Sequence, residues 1–333
     1  GGIWKSTDGG ATFTSLAATV PASFGSAWTY VNSLAVDPVN PDHIYAGTYG
    51  GLYISTNGGT TWAKNTSAGV TGVCRNVKVS ANGQNVYAHV GTRYSRSTDA
   101  GVVFTNMSGT NGFPGSGGIA RIVFGIAPTD NNYVYAIVVN NGSGGNLTGI
   151  YRSTNAGNSW DTLVYGGGTY FWPTCIEYGG APRCQGLYDL ALAVSPSDKN
   201  TLFFGAMQHL YRWQPATGPR QVSNSNWDVP DRKQWYTHSD MHDIVFHPSN
   251  ANDIFVVGDG GMYESKNINE TDPWDVVWTD RNRNYITTQF YGMDAGKDGD
   301  VAGGTQDNST NYIDFTGNTA KTAMNGIYGG DGG

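Results

Sequence analysis

The motif Ser-x-(Asp/Asn)-(Gly/Ala)-Gly-x-x-(Trp/Phe) recurs along this chain at a spacing of about fifty residues. Its copies are Ser6–Phe13, Ser55–Trp62, Ser97–Phe104 and Ser153–Trp160, with degenerate copies near Tyr211-Arg212-Trp213 and at Ser265-Lys266-Asn267. A unit this short cannot bury a hydrophobic face alone. A chain built from such units folds by placing each one against its neighbours, which argues for one closed or stacked body rather than separate domains.

Each repeat reads as four short strands, most clearly in the second: Val31 to Val36, a turn over 37–42, His43 to Thr48, Leu52 to Ser55 and Thr61 to Lys64. Proline fixes φ and removes a donor, while Asn and Asp bond back to their own backbone, so Asp37-Pro38-Val39-Asn40 breaks the first strand from the second. Similar turns stand at Ala127-Pro128, Ser195-Pro196 and His247-Pro248. Repeated four-stranded units of this length are the signature of propeller blades, because radial repetition leaves only short, protected sheet edges. The expected fold is therefore all-β, a β-propeller of about seven four-stranded blades spanning 1–333. Complete blades are expected near 31–65, 74–107, 119–163, 187–222, 240–280 and 286–325, with a half-blade over 3–16. The half-blade would need its inner strands from elsewhere, so the chain is expected to be a piece of a longer polypeptide, and an unclosed edge would invite strand pairing.

The composition excludes several classes of function. No run of eighteen apolar residues is present, so no transmembrane segment is expected. A formal charge of −7 argues against nucleic acid, which demands clustered Lys and Arg. Of the three cysteines, Cys175 and Cys184 bracket a short Gly- and Pro-containing segment in which a disulfide is sterically reasonable; two unrelated thiols are the alternative. Cys74 then reads as a small buried hydrophobe. Six Asn-x-Ser/Thr sequons, at Asn65, Asn106, Asn141, Asn146, Asn269 and Asn308, match what a chain rich in these residues gives by chance.

The repeated motif resembles the Asp-box, or BNR, repeat of sialidases, xyloglucan-directed glycosidases, sortilin-type receptors, a photosystem assembly factor and many secreted bacterial surface proteins. The resemblance spans nearly the whole chain. The opening Gly2-Ile3-Trp4-Lys5-Ser6-Thr7-Asp8-Gly9-Gly10 is similar to the secreted bacterial branch, as are His238-Ser239-Asp240-Met241-His242, Gly258-Asp259-Gly260-Gly261, Gly303-Gly304-Thr305-Gln306-Asp307-Asn308 and Gly330-Asp331-Gly332-Gly333. It implies an extracellular or cell-surface location. It implies neither sialic acid binding nor catalysis, since the box serves the fold by capping the hairpin between third and fourth strands.

In such a fold, the loops joining second to third strands, and each fourth strand to the next blade, emerge on one face, with the boxes on the other. That alternation places Tyr49, Arg93, Asn140 to Asn146, Gln208, His209, Asp259, Gln306 and Asp307 on one rim, joined by His238 and Asp240. Polar residues converging on a concave rim are a candidate binding site. Residues two apart on a strand face the same way, so His238, Asp240 and His242 could hold a divalent metal ion, form a hydrogen-bonded channel network, or do catalytic work. Asp259 and Asp307 lie in equivalent Gly-flanked loops and, with Asp240, are the candidate acid/base carboxylates of a glycosidase; each Asp could equally bond its own tight loop. Xyloglucan-directed members resemble this chain in fold and place their catalytic acid in an Asp-x-Gly-Gly element; of the comparable positions here, Tyr49-Gly50-Gly51 and Asp259-Gly260-Gly261, only the second keeps a carboxylate.

Two insertions add aromatic surface: Tyr170-Phe171-Trp172-Pro173 with Tyr178, and Trp227 with Trp235-Tyr236. They either stack on a ligand or cover sheet edges. The expected function is a binding or structural module for a glycan or an extracellular protein. The alternatives are a glycoside hydrolase on a polysaccharide and a subunit of an extracellular assembly, whose partners could include other parts of its own parent chain.

Overall fold

The computed structural model describes residues 1–166, 173–178, 181–225, 234–282, 289–297, 300–306, 310–313 and 325–328. Apart from short 3-10 turns, its regular structure is β-strand throughout. A two-stranded antiparallel sheet, β1 (Trp4–Lys5) with β2 (Thr14–Ser15), comes first. Two four-stranded sheets follow: β3–β6 (Val31–Val36, Ile44–Thr48, Gly51–Ser55, Ala63–Lys64) and β7–β10 (Cys74–Val79, Val86–Val90, Arg93–Ser97, Thr105–Asn106). The next is β11–β14 (Arg121–Ile126, Val134–Val139, Leu147–Ser153, Asp161–Tyr165), then a hairpin of β15 (Cys175–Tyr178) and β16 (Ala181–Cys184). Three more four-stranded sheets complete the described chain: β17–β20 (Ala191–Val194, Leu202–Gly205, Leu210–Gln214, Gly218–Gln221), β21–β24 (Met241–His247, Asn250–Gly258, Gly261–Ser265, Thr279–Asp280) and β25–β28 (Phe290–Ala295, Val301–Thr305, Thr310–Ile313, Asn325–Tyr328).

Every four-stranded sheet is a simple antiparallel meander in chain order. The first strands of successive sheets, β3, β7, β11, β17 and β21, pack side by side around a common axis. The hydrophobic core is accordingly divided into wedges between neighbouring sheets. One wedge joins Tyr45 and Leu52 to Val77 and Val90, the next Tyr87 and Tyr94 to Ile122 and Phe124. A third joins Ile137 and Ile150 to Leu192 and Phe204, and a fourth Phe203 and Val222 to Ile244 and Trp278.

The repeated motif forms one hydrogen-bonded turn four times over. In each, the Ser Oγ accepts from the amide of the second Gly: Gly10 onto Ser6 at 2.8 Å, Gly59 onto Ser55 at 2.9 Å, Gly101 onto Ser97 and Gly157 onto Ser153 at 2.8 Å. The same hydroxyl donates to the Asp or Asn Oδ1, which also accepts an amide four residues on. The residue before that Gly must sit at positive φ, which Gly9 and Gly58 do freely and Ala100 and Ala156 do at φ 55°, at a steric cost of about 1–2 kcal/mol each. The degenerate copy at Ser265 keeps the Ser265–Asn267 bond, with Asn267 capping the amide of Val277 after an insertion.

Three pairs of neighbouring sheets are tied by a tyrosine on the second strand of one of them. The hydroxyl of Tyr45 donates to Ala100 O at 2.8 Å, that of Tyr87 to Ala156 O at 3.1 Å and that of Tyr135 to Lys199 O at 2.6 Å, each in a turn of the next sheet. A buried phenol needs such a partner, and the carbonyl it finds fixes the spacing between sheets.

Candidate functional site

The loops entering the first strands and those joining second to third strands lie at the opposite end of the sheets from the repeated turns. On this loop face the segment 185–190 is held by several constraints. The Cys175–Cys184 disulfide closes the β15–β16 hairpin just before it, at a directly paired cross-strand position. Gln185 N donates to Thr174 O at 2.9 Å, Leu187 N to Gly144 O at 3.0 Å, and Arg121 Nη1 to Leu187 O at 3.1 Å. A side chain at Gly186 would meet Gly145 O at 2.6 Å, so the two loops are in backbone contact.

Three side chains of this segment reach the entry of β21. Gln185 Nε2 donates to Asp240 Oδ1 at 2.7 Å, and Ser239 Oγ to Asp240 Oδ2 at 3.3 Å. The Tyr188 hydroxyl lies 3.1 Å from both oxygens of Asp259. His242 Nε2 lies 2.8 Å from Asp259 Oδ1, and its ring stands edge-on to Tyr188 with centroids 4.9 Å apart. Asp259 N in turn donates to Asp240 O at 3.3 Å, linking the two carboxylate loops. Asp189 is fully buried, and among the described residues no N–H or O–H reaches either of its oxygens. Its carboxyl faces that of Asp240, and burial first, then Asp240, raises its pKa far above the usual carboxylate range. Arg121 faces this pair, its own pKa lowered to about 10 chiefly by burial. The arrangement offers a half-exposed phenol ring, a carboxylate already oriented by two donors, and a buried acid behind it.

Other predicted rim residues are dispersed around the same face. Tyr49 packs against Tyr30 with centroids 6.2 Å apart, and Tyr30 against the exposed Phe24 at 6.4 Å, an aromatic cluster on the first four-stranded sheet. Arg93 donates to Thr71 Oγ1 at 2.7 Å. His209 Nδ1 accepts from Ser225 N at 3.4 Å beside Gln208, and burial lowers its pKa; Gln306 N donates to Gln289 O at 2.9 Å. Asp307 and Trp172 lie outside the described residues, as do Tyr170, Phe171 and Trp227.

Two expectations are corrected. Trp235 does not line the rim: it is buried, donates through Nε1 to Pro273 O at 2.8 Å and stacks on Trp274, because its large apolar ring completes the wedge between two sheets. His238, Asp240 and His242 do not share a face. Asp240 sits at φ 60° before the strand begins and the register slips between Met241 and Asp243, so the two-residue alternation fails. His242 turns to Asp259, Asp240 to Gln185, and the His238 ring packs over Gly260 with Nδ1 2.9 Å from Ser239 O. Among the described residues no group of three or more His, Cys, Asp or Glu side chains is placed to hold a metal ion.

Sequence reasoning missed Gln185, Tyr188, Asp189 and Arg121. The available signal was a polar and aromatic run, Gln185-Gly186-Leu187-Tyr188-Asp189, wedged between a bridged cysteine and the apolar Leu190–Val194.

No family model matches the chain. A curated xyloglucanase of Hypocrea jecorina (strain QM6a) is 31% identical over 223 residues, 66% of this chain and 22% of that protein. The chain thus spans about a fifth of the length of the curated relative it matches. Among solved structures, the GH74 xyloglucanase from Xanthomonas campestris superposes with a TM-score of 0.59 at 15% identity, covering 93% of this chain and 55% of that one. YCF48 from Cyanidioschyzon merolae superposes with a TM-score of 0.50 at 15% identity, covering 94% and 89% respectively. Together with the radial packing of antiparallel meanders, these likenesses establish the chain as an all-β protein with the β-propeller fold.

Proposed function

We propose that this propeller binds a polysaccharide across its loop face, with Tyr188, Asp259, His242 and Asp240 as the contact residues, as a module of an extracellular or cell-surface protein with Asp-box turns. The observation that carries this reading is the Tyr188–Asp259–His242 cluster: a half-exposed aromatic ring beside a carboxylate held by two neighbours. Sugars are recognised by stacking of their apolar faces on aromatic rings and by hydroxyl donation to fixed carboxylates. Tyr30 and Tyr49 extend the aromatic surface on the same face. The extracellular reading is supported by the Cys175–Cys184 bridge, which persists in oxidising compartments.

A second reading, hydrolysis of the bound glycan, is favoured by the buried acid Asp189 against Asp240, close behind Asp259, and by the sequence likeness to a xyloglucanase. Here Asp259 and Asp240 are the candidate acid and base, with Asp307 retained from the sequence.

Calorimetric titration with oligosaccharides of plant and microbial polysaccharides, xyloglucan included, tests the first reading. Saturable binding is expected, weakened about tenfold or more in Asp259→Ala and Tyr188→Ala variants that keep the native circular dichroism. A reducing-end assay on the same glycans separates the second: turnover lost in Asp259→Asn indicates hydrolysis, and binding without turnover indicates a module. Failure of every glycan to bind overturns both.

A further inference from the structure

The end of the molecule opposite the loop face holds a polar cavity of about 280 Å³ between the β17–β20 and β21–β24 sheets. Its lining carries hydroxyls from Ser195, Ser197, Thr217 and Thr271, and two arginines, Arg212 and Arg220. The arginines are directly paired residues on adjacent strands β19 and β20. Arg212 is buried and Arg220 exposed, and like charges placed directly opposite each other repel.

The neighbouring repeat carries an acid at the equivalent position. On β13, Arg152 is directly opposite Asp161 of β14, and the two form an ion pair at 3.8 Å. In the β17–β20 sheet the aspartate is replaced by Arg220. Among the described residues neither Arg212 nor Arg220 forms an ion pair. Arg212 is 5% exposed; its Nη1 donates to Ile268 O at 3.0 Å, and its Nε has no partner. Its guanidinium is held below its ordinary pKa, first by burial and then by Arg220. The cavity wall also carries two acids, Asp198 and Glu270, neither in an ion pair with the arginines. Asp198 accepts from Thr201 Oγ1 at 2.7 Å and from Asn200 N at 2.9 Å, and Glu270 Oε1 accepts from Asn267 Nδ2 at 3.5 Å.

We infer that this cavity is a site for a tetrahedral oxyanion, a phosphate or sulfate, whose charge replaces the carboxylate that the adjacent repeat supplies from its own chain. Guanidinium groups grip such anions through paired, charge-assisted hydrogen bonds. The inference is independent of glycan binding on the loop face, since it uses neither those residues nor that end of the fold.

Calorimetric titration of the whole chain with inorganic phosphate, inorganic sulfate and glucose 6-sulfate, at constant ionic strength and with chloride as the reference, tests it. Saturable 1:1 binding is expected, weakened about 10- to 100-fold in Arg220→Asp, which restores the pairing seen at Arg152. Arg220→Gln, which removes the charge with little change in size, is expected to weaken binding in the same direction and keeps the test decisive should the aspartate variant fold poorly. Tighter binding of the sugar sulfate than of either free anion assigns the site to an esterified ligand, and the reverse order to the free ion. Absence of binding at about 10 mM anion, or equal affinity in wild type and both variants, overturns the inference.

Discussion

His89 shows how a single buried residue sets the response of the molecule to pH. It lies on an inner pair of strands, fully buried, with Nδ1 accepting from Ile122 N at 3.3 Å, so the ring is kept neutral. Burial first, then the charges of Arg75 and Arg121, lower its pKa to about 3. The unfolded chain takes up a proton near pH 6.5 that the folded chain refuses until about 3, so this contribution is full above pH 6.5 and lost as pH falls towards 3. The slope is about 1.4 kcal/mol per pH unit within that window. Denaturant unfolding from pH 7 to pH 4 is therefore expected to show falling stability in the wild type and a shallower fall in His89→Asn, whose side-chain oxygen can replace the Nδ1 acceptor. Parallel pH profiles would contradict the assignment. A histidine alone in Val86-Tyr87-Ala88-His89-Val90 gives no hint in sequence of which cations will face it, because Arg75 and Arg121 come from two other strands.

At the level of the element, the segment after Cys184 is the part of the site that local pattern did not reveal. Turns were legible because their chemistry is local: Ser55, Asn57 and Gly59 cap one another within five residues. The strands of the second repeat were legible for the same reason, through alternation and proline breaks. Segment 185–190 is shaped instead by partners far along the chain, Thr174, Gly144, Arg121 and Asp240, and by a disulfide whose cysteines are legible in sequence while its consequence for Gln185 and Tyr188 is not. The same locality limit explains His238, Asp240 and His242: strand alternation does not carry across a left-handed residue and a register slip that no composition signals. Replacing Cys175 and Cys184 together by Ser is expected to lower unfolding stability by roughly 2–3 kcal/mol. It should also weaken glycan binding, since the loop that carries Tyr188 loses its anchor. Unchanged stability and affinity, measured by denaturant unfolding and calorimetry, would show the bridge to be incidental.

On the scale of the whole molecule, the division of faces follows from the meander. The proline turns and serine-capped hairpins lie at one end of the sheets, and the loops that join second to third strands and enter the first strands lie at the other. The first end is dominated by structural bonds such as Tyr87 to Ala156 and by the arginine cavity, the second by Asp240, Asp259 and Tyr188. The all-β propeller was legible because the repeat recurs along the sequence; the carboxylate cluster was only partly so, because it is assembled from the entry of one sheet and the loop before another. The most direct test of a glycan-binding loop face is hydrogen–deuterium exchange of the whole chain with and without saturating oligosaccharide. Slowed exchange is predicted in 185–190 and in the loops around Asp240 and Asp259, with the serine-capped turns unchanged. Protection confined to those turns, or the same exchange with and without glycan at saturation, would contradict it.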